Sequence, residues 1–156
     1  AVQQNPAWCY GTGNGADCLL LRLPGNSAPG QQRLYVDYVP NASAASIDEI
    51  GEQFFRVIRD SHPDVPVIFV EDPMFPHSAY DNAIRKEIAE KNASQKRLFA
   101  RLRKAGEKRI YYVGAEGMIG DDGEATVDGI HFTDLGAMRY VDHVLPVIKK
   151  ALRKNK

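Results

Sequence analysis

The sequence predicts an α/β fold, a three-layer α/β/α sandwich on a mostly parallel sheet. Short apolar runs alternate with longer amphipathic stretches in the order strand, helix, strand, helix, strand, helix. That alternation is the pattern of parallel strands joined by crossover helices, with helices on both faces of the sheet. One run, "VPVIFVEDP", is short, β-branched and unalternating, as strands covered on both faces tend to be. The 156 residues show no internal repeat and no linker, so the chain reads as a single domain, residues 1–156, large enough to bury a core.

The first 32 residues differ from the rest. "NPAWCYGTGNGAD" and "PGNSAPGQQ" are rich in Gly, Pro and Asn and read as loops. Between them "CLLLRL" suits a buried strand. "RLYVDYV", residues 33–39, mixes β-branched and aromatic residues and reads as a strand that ends at "PNAS". "SIDEIGEQFFRVIRDSH" reads as a helix capped by Ser46, with Glu49 completing a capping box. Its apolar positions are Ile47, Ile50, Phe54, Val57 and Ile58. The strand "VPVIFVEDP" follows. "AYDNAIRKEIAEKNASQKRLFARLRKAGEK" is helical, with Ile84, Ile88, Leu98 and Leu102 inward and Gly106 as its stop. "RIYYVG" is another strand. The loop "GAEGMIGDDGEATVDGIH" leads to a last helix over 133–153, capped by Thr133. Its expected core face is Leu135, Met138, Val141, Val144, Leu145 and Ile148.

Twenty basic and twenty acidic residues give a formal net charge of zero. That balance argues against a general nucleic-acid or anionic-membrane binder, which shows a basic excess. The basic tail "KKALRKNK" reads as a solvated helix end, where cations are favourable. No run approaches the ~20 apolar residues that cross a bilayer. The chain begins "AVQQNPAW" without Met, which leaves open the removal of a leader and export. Cys9 and Cys18 can form a disulfide if the protein is exported or remain thiols if it is not, and two cysteines do not decide between these. Asn41-Ala42-Ser43 and Asn92-Ala93-Ser94 match the glycosylation acceptor pattern, a match common by chance.

In open α/β sheets ligands bind outside the carboxyl ends of the strands. The loops after "RLYVDYV", "VPVIFVE" and "RIYYV" therefore share one rim, and Asn41, the "EDPMFPHS" segment, Asp128 and His131 fall in them. The His131 imidazole can take and return a proton near neutral pH. Asp128, three residues earlier, reaches Nδ1 if Gly129-Ile130 turns tightly, which would make the two the base and orienter of a triad. The alternative is that both are merely loop and helix-start residues. Asn41 has the same two readings, an amide donor to a developing oxyanion or a plain turn residue. His77 has two readings, a residue lining the rim or, the favoured one, a solvent-exposed loop residue; His62 and His143 are expected to be structural or exposed. Asp121, Asp122, Asp128 and His131 are oxygen-rich but lack a recognised cation-loop spacing. "YGTGNG" lacks the Lys-Ser/Thr of a phosphate loop.

"DGIHFTDLGAMRY" resembles the carboxy-terminal block of the SGNH (GDSL-like) hydrolases, and "LYVDYVPNAS" resembles their strand-terminal Asn block. "VPVIFVEDP" and "RIYYV…GDDGEATVDGIH" are similar to a bacterial branch, so the likeness covers residues 33–152. The resemblance implies a flavodoxin-like α/β/α sandwich and hydrolysis of esters through an acyl-serine. It makes His131 the general base, Asp128 its orienter and Asn41 an oxyanion donor. Many members have Pro after the His; Phe132 stands here and is expected to alter the wall of the site. The amino-terminal part departs from the pattern. "CYGTGNGAD" has Gly13 where the Ser block would place Ser. In "LRLPGNSAPG", either Gly25 is the backbone oxyanion donor of the second block or Ser27 is the nucleophile of a Gly-Asp-Ser-like turn. The implied substrate is an acylated small molecule or carbohydrate, with no metal or organic cofactor. The rivals are a non-catalytic binding domain on the same fold and a divalent-metal hydrolase. Oligomeric state is not legible.

Overall fold

The computed structural model describes residues 19–21 and 34–153. Four strands, β1 (Leu19–Leu21), β2 (Leu34–Asp37), β3 (Val67–Val70) and β4 (Ile110–Val113), form one sheet in the order β1-β2-β3-β4. Strands β2, β3 and β4 are parallel, and β1 is an antiparallel edge. Helices α1 (Ala44–Ser61), α2 (Asn82–Lys104) and α3 (Asp134–Leu152) follow β2, β3 and β4 in turn. Two same-handed crossovers stepping in one direction put α1 and α2 on one face, and α3 returns to the other.

The pleat of β3 shows both covered faces. Val67 and Phe69 join Val36, Phe55, Leu98 and Leu102 in the core beneath α1 and α2. Ile68 and Val70 join Val113, Met118, Ile119, Val144 and Ala151 beneath α3. Period-two alternation of side chains makes this inevitable once the strand is sandwiched, and it explains why Val67–Val70 has no polar residue.

Three helix details differ from the sequence expectations. Ser43, not Ser46, caps α1: its Oγ accepts from Ser46 N–H at 3.0 Å, and the Ser46 Oγ accepts from Ser43 N–H at 3.0 Å. A serine three residues on serves where Glu or Gln usually closes the box, so the helix starts earlier than expected. Along α1 the buried stripe is Ile47, Gly51, Phe55 and Ile58, while Ile50 and Val57 are exposed on its flank. In α3 the buried residues are Gly136, Val144 and Ala151, with Tyr140, Val147 and Ile148 packed beside them. Leu135, Met138 and Val141, expected in the core, are exposed. The cause is Gly136: its missing Cβ lets α3 press on Ala125, where a Cβ would lie 1.9 Å from the carbonyl oxygen. That contact fixes the rotation of the helix. Thr133 caps it as expected, its Oγ1 accepting from Gly136 N–H at 3.1 Å.

Helix α2 carries its expected apolar residues Ile88, Leu98 and Leu102 inward and adds two buried amides. The Asn92 Nδ2 donates to the Asp72 carbonyl and its Oδ1 accepts from Asp72 N–H, both at 2.8 Å. The Gln95 Nε2 donates to the Val70 carbonyl. The two side chains grip the chain as it leaves β3 and set the direction of the following loop. Asn92 and Ser94 are both buried, so the second acceptor match is a structural element of the folded chain. Asn92→Ala leaves two backbone groups of Asp72 without their partner and is expected to cost about 2–4 kcal/mol. An equilibrium urea transition reads this directly; an unchanged midpoint would contradict it.

At the amino edge of the sheet, Glu107 takes Arg56 at 2.6 Å and Arg59 at 3.3 Å. The Arg59 Nη1 also donates to the carbonyls of His62, Pro63 and Val65. These contacts tie the end of α1 to the approach of β4. No helix among the described residues is long and apolar enough to cross a membrane.

Candidate active site

The segment after β4 is long and glycine-rich, and α3 holds it down. His143 Nε2–H donates to the Gly114 carbonyl at 2.8 Å. Arg139 pairs both oxygens of Asp122 at 2.7 and 2.6 Å and donates to the Ile119 carbonyl at 3.1 Å. The guanidinium holds the Asp122 carboxyl well below the usual carboxylate range. Beyond this clamp the chain doubles back on itself. Thr126 bridges Phe132, Val127 N–H donates to the His131 carbonyl at 2.9 Å, and Thr133 N–H donates to the Ala125 carbonyl at 3.0 Å.

Asp128, Gly129 and Ile130 form the tip of this small hairpin. The Asp128 Oδ1 accepts from Ile130 N–H at 3.0 Å and His131 N–H at 2.8 Å, and its Oδ2 lies 2.6 Å from His131 Nδ1. Gly129 has φ +91, a left-handed conformation that glycine adopts without steric cost. The tight turn needed to join carboxylate and imidazole is therefore present. The His131 imidazole, helped by the two backbone N–H groups, holds the Asp128 carboxyl well below the usual carboxylate range. An ionised Oδ2 only accepts, so Nδ1 carries the proton and the neutral ring keeps its lone pair on Nε2. Among the described residues nothing bonds Nε2. The side chains of His131 and Asp128 are 77% and 51% exposed, so the pair stands open at the rim.

The lowered Asp128 pKa has a defined consequence for stability. The pairing contributes fully above about 4, the ordinary carboxylate value, and the contribution fades as pH falls toward the lower folded value. Carboxyl-carbon chemical shifts through an acid titration are expected to show Asp128 protonating after the exposed, unpaired carboxylates; protonation together with them would refute the pairing.

Asn41 ends the 3-10 turn Val39–Asn41 that closes β2, and its side chain is exposed. Its N–H donates to the Tyr38 carbonyl at 3.0 Å, and Lys91 Nζ reaches the Pro40 carbonyl at 3.3 Å. Because β2, β3 and β4 are parallel, Asn41 and the Asp128–His131 pair emerge from the same edge of the sheet. Ser27 and Gly25 lie outside the described residues, as do Gly13, Cys9 and Cys18. Strand β1, which precedes Ser27, ends with Leu21 beside Tyr35, near the amino end of β2.

The loop after β3 joins the site more closely than its sequence promised. His77, expected to be an exposed loop residue, is half-buried, and its Nδ1 lies 3.0 Å from the Gly129 carbonyl oxygen. Phe75 packs on Phe132 with ring centroids 6.3 Å apart, and Phe132 on Tyr140 at 5.3 Å. Phe132, next to His131 in sequence, thus packs between these two rings. Glu71 accepts from the Tyr112 hydroxyl at 2.7 Å and from Ala115 N–H at 2.8 Å, bracing the ends of β3 and β4. Burial, then Glu71, pushes the Tyr112 hydroxyl far above its ordinary value.

A groove of about 910 Å³ runs along this rim, bounded by Met74, Phe75, Tyr80, Arg85, Met118 and Ile119. Asp128, His131 and Asn41 do not line it; Phe75 links it to the pair through Phe132. Asp122 is engaged by Arg139 and Asp128 by His131. Among the described residues no three His, Cys, Asp or Glu side chains converge as a metal site.

The three-layer sandwich, the Asp-x-x-His pair and the strand-terminal Asn on one rim define an SGNH-type α/β/α protein. The chain belongs to the GDSL-like lipase/acylhydrolase family, whose profile matches residues 31–149. A protein of Bacteroides ovatus assigned as a GDSL-like lipase superposes with a TM-score of 0.74 and 29% identity, covering 77% of this chain and 36% of that one. The salicylyl-acyltransferase SsfX3 of a tetracycline biosynthetic pathway shares the fold at a TM-score of 0.59 and 17% identity, over 76% of this chain and 36% of that one. The chain thus spans just over a third of the length of each. Among curated proteins none matches the chain.

Proposed function

We propose that the chain carries the acid–base half of a serine-type ester hydrolase acting on an acylated small molecule or carbohydrate. The observation that supports this most is the 2.6 Å contact of Asp128 Oδ2 with His131 Nδ1, with Nε2 left as the basic atom. In the reaction a serine Oγ adds to the acyl carbonyl while Nε2 takes its proton. The tetrahedral oxyanion accepts hydrogen bonds from Asn41 and a backbone N–H, assigned to Gly25. Collapse returns the proton to the departing alkoxide, leaving an acyl-serine. Water, deprotonated by the same Nε2, then releases the acid. Ser27 is the nucleophile in this reading.

Labelling with a fluorophosphonate and mapping the adduct tests the reading. Covalent attachment at Ser27, abolished by His131→Ala, is the expected result. The direction of β1 favours a second reading, a non-catalytic binder, because Leu21 leaves the strand at the edge opposite Asn41. No adduct at any serine, with ligand binding intact, would establish that reading instead. Asn41→Ala is expected to reduce kcat about 10²–10³-fold, the usual cost of one oxyanion donor, in a p-nitrophenyl ester assay; activity near wild type would remove Asn41 from the mechanism.

A further inference from the structure

The Gly129–Ile130 peptide is held at both ends. Its N–H donates to the Asp128 Oδ1 at 3.0 Å, and its carbonyl lies 3.0 Å from His77 Nδ1. A carbonyl oxygen only accepts, so His77 Nδ1 is the protonated atom. The His77 ring also fills the space a side chain at 129 would need: a Cβ there would lie 1.9 Å from Cε1 and 2.3 Å from Nδ1. His77 sits in the 3-10 turn Pro76–Ala79, on the loop after β3. The peptide it holds belongs to the loop after β4, 52 residues on.

We propose that His77 is a positioning residue for the Asp128–His131 pair, anchoring through its Nδ1–H the peptide that aims the Asp128 carboxylate. The physical chain is short. The orientation of the Gly129–Ile130 peptide sets where the Ile130 N–H meets Oδ1, and that bond, with the one from His131 N–H, sets where Oδ2 points. Oδ2 in turn fixes the proton on His131 Nδ1. Without the anchor the glycine is free to rotate its carbonyl outward, since glycine has the widest choice of backbone states. His77 touches no reacting atom in this scheme; it acts by holding the turn, as outer hydrogen-bond partners orient functional imidazoles elsewhere.

Three variants of the full chain, H77A, H77F and H77N, test the proposal. H77F keeps a ring against Gly129 but donates nothing; H77N keeps a donor near the position of Nδ1. Long-range ¹H–¹⁵N spectra of His131 are expected to lose the pure Nδ1–H pattern in H77A and H77F. Exchange of that proton is expected to rise about tenfold, and H77N to restore both. The activity arm rests on the esterase reading: kcat is expected to fall roughly tenfold in H77A and H77F with KM little changed, as misaligned catalytic groups cost. The spectroscopic arm needs no substrate, so wild type without esterase activity but with the expected spectra would sink the function and leave the positioning role. Wild-type His131 spectra in H77F would show that the ring only packs and would overturn the proposal, as would H77N resembling H77A. Should H77A fail to fold, H77F and H77N decide between the same outcomes.

Discussion

Replacing Asp128 by asparagine is expected to lower kcat about 10³–10⁴-fold, as loss of the carboxylate does in comparable triads, while the chain keeps its fold. The asparagine carbonyl can still accept from the Ile130 and His131 N–H groups that Oδ1 now serves. Its amide nitrogen then faces His131 Nδ1, and two donors cannot share one contact. The ring must move its proton to Nε2, the atom required as base. Chemistry is lost through the tautomer, with the hairpin intact. Ester-hydrolysis kinetics beside a thermal melt measure both halves. Turnover within tenfold of wild type, with an unaltered melt, would remove the pair from the reaction.

Gly136→Ala is the second large effect, on stability first. A Cβ at 136 would meet the Ala125 carbonyl oxygen at 1.9 Å and its carbon at 2.8 Å. These are backbone atoms, so no side-chain rotation relieves the overlap; either α3 lifts or the hairpin shifts. The expected cost is about 2–3 kcal/mol, within the range for overpacking a close contact. The Thr133 N–H to Ala125 carbonyl bond, which closes the hairpin bearing Asp128 and His131, must strain with it, so turnover is expected to fall as well. A urea midpoint and turnover both equal to wild type would show that the contact is slack.

The sequence made the strands and the three helices legible for a physical reason in each case, since runs such as "VPVIFV" read as buried. Asp-x-x-His alone left a loop-and-cap reading open for Asp128 and His131; their place after a strand and the likeness of "DGIHFTDLGAMRY" to a hydrolase block singled the pair out. The inward face of α3 was not legible, because apolar residues occur nearly all round it: Leu135, Met138 and Val141 compete with Gly136, Tyr140 and Val144. Only the close approach of Gly136 to Ala125 breaks that tie, and it is a tertiary contact. Asn92 and Gln95 hid for the opposite reason. Polar residues in a helix read as solvent-facing until a strand end with open backbone groups is placed beside them. His77 was visible as a rim residue, but its bond to Gly129 joins two loops separated by a whole helix and strand, and nothing local encodes it. Asn41 was legible as a strand-end residue, and its oxyanion role, like those of Ser27 and Gly25, comes from the family likeness.

The cluster of Arg56, Arg59 and Glu107 sits at the amino ends of the strands, across the sheet from the rim that bears Asn41, Asp128 and His131. A charge swap at Glu107 is therefore expected to act at the amino ends of the strands and to leave the geometry of the Asp128–His131 hairpin unchanged.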